Sequence, residues 1–300
     1  MRADRAVRVS VHGGHSAEFC SHARDRLEEI VARYAELGFA WVGLTEHMPA
    51  PSDALVPPEE RAAGLDARAM LERFEAYVAE ARRLQREYAG RLRILVAFET
   101  EVCTGSQVLV RELIARFEPD YLVGSVHHVD DVCIDASPEL YEEAARVAGG
   151  IDALYERYFD LQHDLICWLQ PAVVGHFDLI RLLDPEYRER LQRPSIADRV
   201  RRNLEEIARY GGILDFNVRA LSKNQPEPYV SAPLLDQARA LGIPVVPGDD
   251  SHGVADVGRH LDEGIALLLE AELAGGTPLP PAEGREVSRV APQSTRRRSP

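Results

Sequence analysis

Residues 244–252 read PVVPGDDSH: a short apolar run is followed at once by two aspartates and a histidine. A run of this length that is apolar almost throughout is typical of a strand buried on both faces, as the strands of parallel sheets are. Six other runs of the same kind precede it, so the sequence predicts seven buried strands. They cover residues 7–11, 40–44, 93–98, 121–126, 172–175, 213–216 and 244–247.

Amphipathic helical patterns lie between these strands. We predict helices over residues 23–37, from an N-cap at Asp66 to about residue 90, over residues 152–169, and from a cap at Ser195 to residue 210. Strands and helices in alternation indicate an α/β fold with a parallel sheet. Residues 1–273 would then form a single domain, a distorted seven-stranded (β/α) barrel of the triosephosphate-isomerase type. An open doubly wound sheet is the alternative, but the glycine-rich nucleotide motifs that often accompany it follow none of these strands.

Two segments depart from this alternation. Residues 48–65 are rich in proline and predict a long loop over one face of the barrel. Residues 274–300 are rich in proline, glycine and charged residues and predict a disordered C-terminal tail.

The composition narrows the class of partner. A formal net charge of −14 disfavours binding to nucleic-acid phosphates and anionic membranes, so we expect neither as a partner. An acidic chain does suit a protein that collects cations. Apolar runs stay below the roughly 18 residues of a transmembrane helix, and the four cysteines form no CxxC pair. We therefore expect reduced cysteines and a cytoplasmic protein; homo-oligomerisation stays open.

Histidines and carboxylates follow six of the seven predicted strands directly, and a further histidine lies in the first loop. The carboxyl ends of the strands form one face of such a barrel, and that face holds the active site. Imidazole and carboxylate ligands suit Zn, Fe or Mn, and so many ligands predict two or three divalent ions. The candidate ligands are His12, His15, His22, His47, Glu99, His127, His176, Asp250 and His252.

Seven short motifs occur along the chain in the order HGGHS, CSHA, LTEHMP, AFE, GSVHHV, VVGHFDLIR and PGDDSH. In this order they resemble the polymerase and histidinol phosphatase (PHP) superfamily, and more narrowly its histidinol-phosphatases, including the fungal enzymes. The resemblance spans residues 9–258. It implies a metal-dependent phosphomonoesterase that hydrolyses L-histidinol phosphate in histidine biosynthesis, with a hydroxide between the ions as nucleophile. It also implies three ion sites: one held by His12, His15, Glu99 and Asp250, a second by Glu99, His127 and His176, and a third by His22, His47 and His252.

The first motif departs from the family pattern. The family has His-x-His, whereas this chain has His12-Gly-Gly-His15, so the first ligand would fall on Gly13. We expect His12 to substitute, because two glycines allow the backbone to bring it into place. Strand alternation places Glu101 on the side of Glu99, where it can support a ligand.

Several neighbouring residues are interpreted as structural. Alternation along the fourth strand turns His128 away from the site, so we expect it to pack in the protein or in a loop. His163 and His260 are also expected to be structural. We interpret Cys20, which lies between two candidate ligands, as a small buried packing residue; the alternative is that it approaches a metal.

Further residues are candidates for catalysis and for binding the phosphate ester. As catalytic groups we predict Glu99, Asp250, His252 and Asp178, the last of which would orient His176 or protonate the leaving group. As substrate-binding groups we predict Arg181, Asn217, Arg219 and Lys223.

Two other functions stay open. One is a phosphoesterase of the same superfamily that acts on nucleotides or other small phosphate esters. The other is a metal-binding regulatory barrel without turnover.

Overall fold

A computed structural model describes residues 7–273, so the predicted tail at 274–300 lies outside the described residues. The strands are β1 (Val9–Ser10), β2 (Trp41–Leu44), β3 (Arg93–Thr100), β4 (Tyr121–Gly124), β5 (His128–Val129), β6 (Val132–Cys133), β7 (Val173–Val174), β8 (Ile213–Asn217) and β9 (Val245–Gly248). The α-helices are α1 (Leu27–Glu36), α2 (Pro58–Ala62), α3 (Ala67–Glu87), α4 (Ser106–Phe117), α5 (Pro138–Ala148), α6 (Ile151–Leu169), α7 (Tyr187–Arg190), α8 (Pro194–Tyr210), α9 (Arg219–Ser222), α10 (Ala232–Ala240) and α11 (Leu261–Glu270). Short 3₁₀ helices cover Asp53–Leu55 and Leu179–Arg181.

Seven parallel strands form one sheet in the order β1-β2-β3-β4-β7-β8-β9. The first and last strands approach each other, because the Val11 N–H donates to the Pro247 carbonyl at 2.9 Å and the Asp250 N–H to the His12 carbonyl at 2.8 Å. The sheet is therefore a nearly closed barrel surrounded by helices, which confirms the predicted fold class.

The barrel interior is filled by apolar side chains below the carboxyl ends of the strands, and a second, larger core lies between the sheet and the helices. The Tyr121 side chain crosses the interior and donates a hydrogen bond to the Val11 carbonyl at 2.5 Å. A Cβ atom at Gly43 would lie 1.6 Å from the Tyr121 hydroxyl oxygen, so only glycine fits there. Packed side chains thus close the barrel beneath its upper rim.

The seven predicted strands are all present, whereas several finer predictions were wrong. Asp66 caps α3 as predicted, because its carboxylate accepts a hydrogen bond from the Ala69 N–H. Ser195 is not the cap of α8: the helix already begins at Pro194, whose fixed φ suits the first helical position. The segment 48–65 is not a continuous loop, since it contains a 3₁₀ helix and α2. The β5–β6 hairpin was not predicted.

Within the described part of the chain, the helices are too short or too polar to cross a membrane.

Candidate metal centre

A cavity of about 360 Å³ opens at the carboxyl ends of the barrel strands. Strand ends supply its floor, and the segment between β2 and α3, the β5–β6 hairpin and α9 contribute to its walls. Ionisable side chains dominate the floor, while Phe19, Met48, Met70 and Phe74 make part of the wall apolar. The barrel thus brings residues distant in sequence to one pocket of a size suited to a small molecule.

The two histidines after β1 are each held at one ring nitrogen by a buried carboxylate. His12 Nδ1 lies 2.9 Å from Asp215 Oδ2, and His15 Nδ1 lies 3.0 Å from Glu46 Oε1. Within the described part of the chain, Nε2 of His12 and Nε2 of His15 are fully buried and have no hydrogen-bond partner. Metal-binding histidines characteristically donate the other ring nitrogen to a carboxylate, so this arrangement fits two ligands with Nε2 directed at an ion.

The Gly-Gly pair in the first motif has a structural reason. A Cβ atom at Gly13 would lie 2.5 Å from Asp249 Oδ1 and 2.6 Å from the Tyr34 hydroxyl oxygen. Gly14 has φ +83°, a conformation that favours glycine. Position 13 thus lies against buried polar groups behind the predicted metal site. His12, which precedes the two glycines, is the residue whose side chain the backbone directs into that site.

Glu99 lies at the centre of the cluster and is 1% exposed. Its Oε1 is 2.8 Å from His176 Nε2, and its Oε2 is 3.0 Å from His47 Nδ1 and 3.3 Å from His12 Nε2. Burial raises the pKa of Glu99, but the nearby charges of His12 and His127 outweigh it and hold the pKa well below its ordinary value. A carboxylate with imidazoles on both oxygens has the geometry to bridge two ions.

A second acidic residue, Glu101, contacts His127 and His128, which follow β4 along the chain. Its Oε1 is 2.5 Å from His127 Nδ1, and its Oε2 is 3.0 Å from His128 Nδ1. Burial lowers the pKa of His127, but the charges of Glu101 and Glu99 outweigh it and raise that pKa to about 10. The acidic groups therefore create a potential that draws cations into the site.

The third group of ligands lies nearer the solvent. His22 Nε2 is 2.9 Å from His252 Nε2, and both rings lie within 6.3 Å of the His47 ring, measured between centroids. Cys20 Sγ is 3.2 Å from His22 Nδ1. These four side chains can each direct one ligand atom at a common ion.

Asp250 completes the floor at the end of β9. Its Oδ1 lies 3.3 Å from His15 Nε2, and its Oδ2 accepts a hydrogen bond from Asn217 Nδ2 at 3.2 Å. Burial raises the pKa of Asp250, but the charge of His12 and the close contact with His15 lower it to well below its ordinary value. The donor set around the floor is imidazole and carboxylate, which fits divalent ions such as Zn, Fe or Mn.

Comparison with known proteins places this arrangement in a family. Residues 13–219 match the family described as PHP domain. The chain belongs to the PHP domain family. Two curated relatives are a "Probable histidinol-phosphatase" of Schizosaccharomyces pombe, 37% identical over 83% of this chain and 82% of the relative, and a "Histidinol-phosphatase" of Saccharomyces cerevisiae, 29% identical over 84% and 85%.

Solved structures show the same PHP barrel. A Listeria monocytogenes protein assigned as a histidinol phosphatase superposes with a TM-score of 0.75 at 25% identity, covering 85% of this chain and 99% of that one. A Lactococcus lactis histidinol phosphate phosphatase, solved with zinc, L-histidinol and phosphate, gives a TM-score of 0.67 at 16% identity over 89% and 94% of the two chains. Because its sequence identity is only 16%, the Lactococcus lactis structure supports the fold alone.

All nine predicted ligands lie together at the carboxyl ends of the strands: seven line the cavity, and His12 and His15 are buried beside Glu99 and Asp250. Three other predicted residues, Asp178, Arg181 and Asn217, do not line the cavity. The Arg181 side chain is fully buried and donates to Asp178, to Gln225 and to the carbonyls of Glu227 and Pro228. Asp178 Oδ2 accepts from Arg181 and from a backbone N–H, and none of its contacts is with His176. Both predictions were wrong, because this pair fastens the 225–231 segment to the barrel.

The other three predicted substrate-binding residues divide in two. Asn217 is buried behind the floor and does not line the cavity. Its side-chain amide donates to Asp215 and to Asp250, so it positions the predicted ligand Asp250. Arg219 and Lys223 both line the cavity. Arg219 also donates to the Asp250 carbonyl at 3.1 Å.

The prediction for His128 was also wrong. Strand β4 ends at Gly124, so alternation does not extend to His128, which begins the β5–β6 hairpin. His128 lines the cavity and contacts Glu101. His163 and His260 lie outside the cavity wall, as expected, with contacts to Cys167 and Glu263.

Two residues that orient ligands were missed. Asp215 holds His12 and also accepts from the His176 N–H at 3.2 Å, and Glu46 holds His15. The sequence contains a signal for both. Each is an acidic residue within or directly after a buried apolar strand, where an unpaired charge would be strongly destabilising.

Proposed function

We propose that this protein hydrolyses L-histidinol phosphate to L-histidinol and phosphate. The observation that carries the proposal is the convergence of nine predicted imidazole and carboxylate ligands at the base of a small-molecule cavity whose wall includes the cationic side chains of Arg219 and Lys223. The choice of substrate within the family is supported by relatives named histidinol-phosphatase that cover more than four fifths of the chain.

We propose that the ligands hold three divalent ions of Zn, Fe or Mn. His12, His15, Glu99 and Asp250 would hold the first, and Glu99, His127 and His176 the second. His22, His47 and His252 would hold the third. When bound, such ions neutralise phosphate oxygens and bring the pKa of water close to neutrality. The orphaned Nε2 atoms of His12 and His15 support the first assignment.

The chain's own groups then have separate tasks. Glu99 fixes the spacing of the first two ion sites, because its two oxygens face different histidines. Arg219 and Lys223 bind the phosphate ester from the cavity wall, where their charges complement phosphate oxygens. Asp250 and His252, which line the same cavity as Arg219 and Lys223, complete the set of catalytic residues. Phosphoryl transfer needs little more than such positioning and charge neutralisation.

We also propose the domain limits and location suggested by the sequence. Residues 1–273 would be the catalytic domain, and residues 274–300 a tail that contributes nothing to it. The protein would act in the cytoplasm on a small molecule, with no nucleic-acid or membrane partner.

Steady-state kinetics on L-histidinol phosphate, run beside a panel of nucleotides and other small phosphate esters, test the substrate. We expect kcat/KM for histidinol phosphate to exceed that for every other ester by at least about tenfold, the lower end of what a difference of one methylene group in a pocket produces. A nucleotide as the preferred substrate would replace the proposal with another phosphoesterase activity. Full metal content without phosphate release from any ester would favour a regulatory metal-binding barrel.

A further inference from the structure

We infer that the Cys20 sulfur is a fourth ligand of the third ion, beside His22, His47 and His252, so that this site differs in chemistry from the other two. The inference rests on the proposed third ion. It extends the set of nine by a thiolate that the family motifs did not lead us to expect.

Geometry is the first argument. Cys20 Sγ lies 3.2 Å from His22 Nδ1 and 3.3 Å from His22 Nε2, and His22 Nε2 lies 2.9 Å from His252 Nε2. One ligand atom from each of the four residues, His47 included, lies within 4.8 Å of the other three. Four ligands of a tetrahedral ion at about 2.0–2.3 Å are separated by distances of this order.

The surroundings of the sulfur are the second argument. Cys20 is 2% exposed although it lies beside the cavity, so its sulfur is turned towards the histidines and away from solvent. Cys103 and Cys133, which also line the cavity, belong to none of the ligand groups found in the described residues.

The chemical consequence is a difference between the sites. The first two groups offer nitrogen and oxygen alone, whereas the third would add a soft sulfur ligand, which favours Zn over Mn. Binding would release the thiol proton to solvent as the metal–sulfur bond forms. The third ion would therefore be zinc even in protein loaded with Mn at the first two sites.

X-ray absorption of the zinc-loaded full chain tests this without reference to activity. We expect about one sulfur scatterer for every three zinc ions, at about 2.3 Å from zinc. Cobalt substitution should add a thiolate-to-cobalt charge-transfer band in the near ultraviolet. Cys20→Ser should abolish the band and the sulfur scatterer, and Cys133→Ser, the matched control, should keep both.

The outcomes separate this inference from the proposed function. Three bound ions without a sulfur scatterer in the wild-type protein would overturn the Cys20 assignment and leave the phosphatase proposal intact. A sulfur scatterer that persists in Cys20→Ser would assign the ligand to another cysteine and also overturn it. A sulfur scatterer in a protein that releases no phosphate from histidinol phosphate would support Cys20 and count against the function alone.

Discussion

Replacing Glu99 by glutamine tests the centre of the proposed site. The substitution keeps the shape of the side chain and removes one buried negative charge, which lies between His176 on one oxygen and His47 and His12 on the other. Removing one partner of a buried charge interaction costs about 3–5 kcal/mol. At about 1.4 kcal/mol per tenfold, this corresponds to a combined loss of affinity of about 10²- to 10⁴-fold for the two ions that Glu99 would bridge.

We therefore expect Glu99→Gln to lose nearly all turnover of histidinol phosphate and, in elemental analysis, to fall from three ions towards one. Glu101→Gln is the matched control, because Glu101 contacts His127 and His128 and is not one of the nine predicted ligands. Loss of such a supporting contact reduces activity or metal affinity by about 10- to 100-fold. A well-folded Glu99→Gln protein that keeps three ions and turns over within tenfold of wild type would refute the bridging role.

Four further predictions concern the first motif, the cations, the tail and the reaction path. His12→Ala should reduce turnover by at least about 10²-fold while circular dichroism shows an intact fold. His128→Ala should do much less, because His128 contacts Glu101 and is not itself a predicted ligand; the reverse order would contradict the assignment of His12. Arg181→Met should lower the free energy of unfolding by about 3–5 kcal/mol in denaturant titrations. Lys223→Met should instead raise the KM for histidinol phosphate and change the free energy of unfolding by less than about 0.5 kcal/mol. An unchanged KM would remove Lys223 from the phosphate site. A chain ending at Leu273 should keep its melting temperature and kcat, and a large loss of either would show that the tail packs on the barrel. Hydrolysis in ¹⁸O-labelled water should place one labelled oxygen in phosphate, and a trapped phosphoenzyme would contradict direct attack by water.

The barrel and the positions of its ligands were predictable because both follow from short-range rules. Buried parallel strands are apolar along their length, and whatever follows them must lie on the same face of the barrel. His12 departs from the family motif, but it could be proposed as a ligand because the two glycines beside it allow an unusual backbone path. Gly14 does have a positive φ.

The errors come from contacts between segments that are far apart in sequence. Arg181 and Lys223 are both cations in loops after strands, and only the course of residues 225–228 decides that Arg181 is buried while Lys223 faces the cavity. His128 was misplaced because the end of β4 depends on its pairing with β7, which no local pattern reveals. The role of Asp215 likewise requires knowledge that β1 and β8 lie on either side of β9 in the nearly closed barrel.

The near-closure of the barrel between β1 and β9 has a consequence for how the protein acquires its metals during synthesis. His12 and His15 leave the ribosome first, but Asp250 and His252 emerge only when most of the 300 residues have been translated. A nascent chain therefore carries only part of the proposed ligand set until then. The hydrogen bonds that join the first strand to the last bring both ends of the set together. An ion that needs ligands from both ends would thus bind after translation, in the finished barrel.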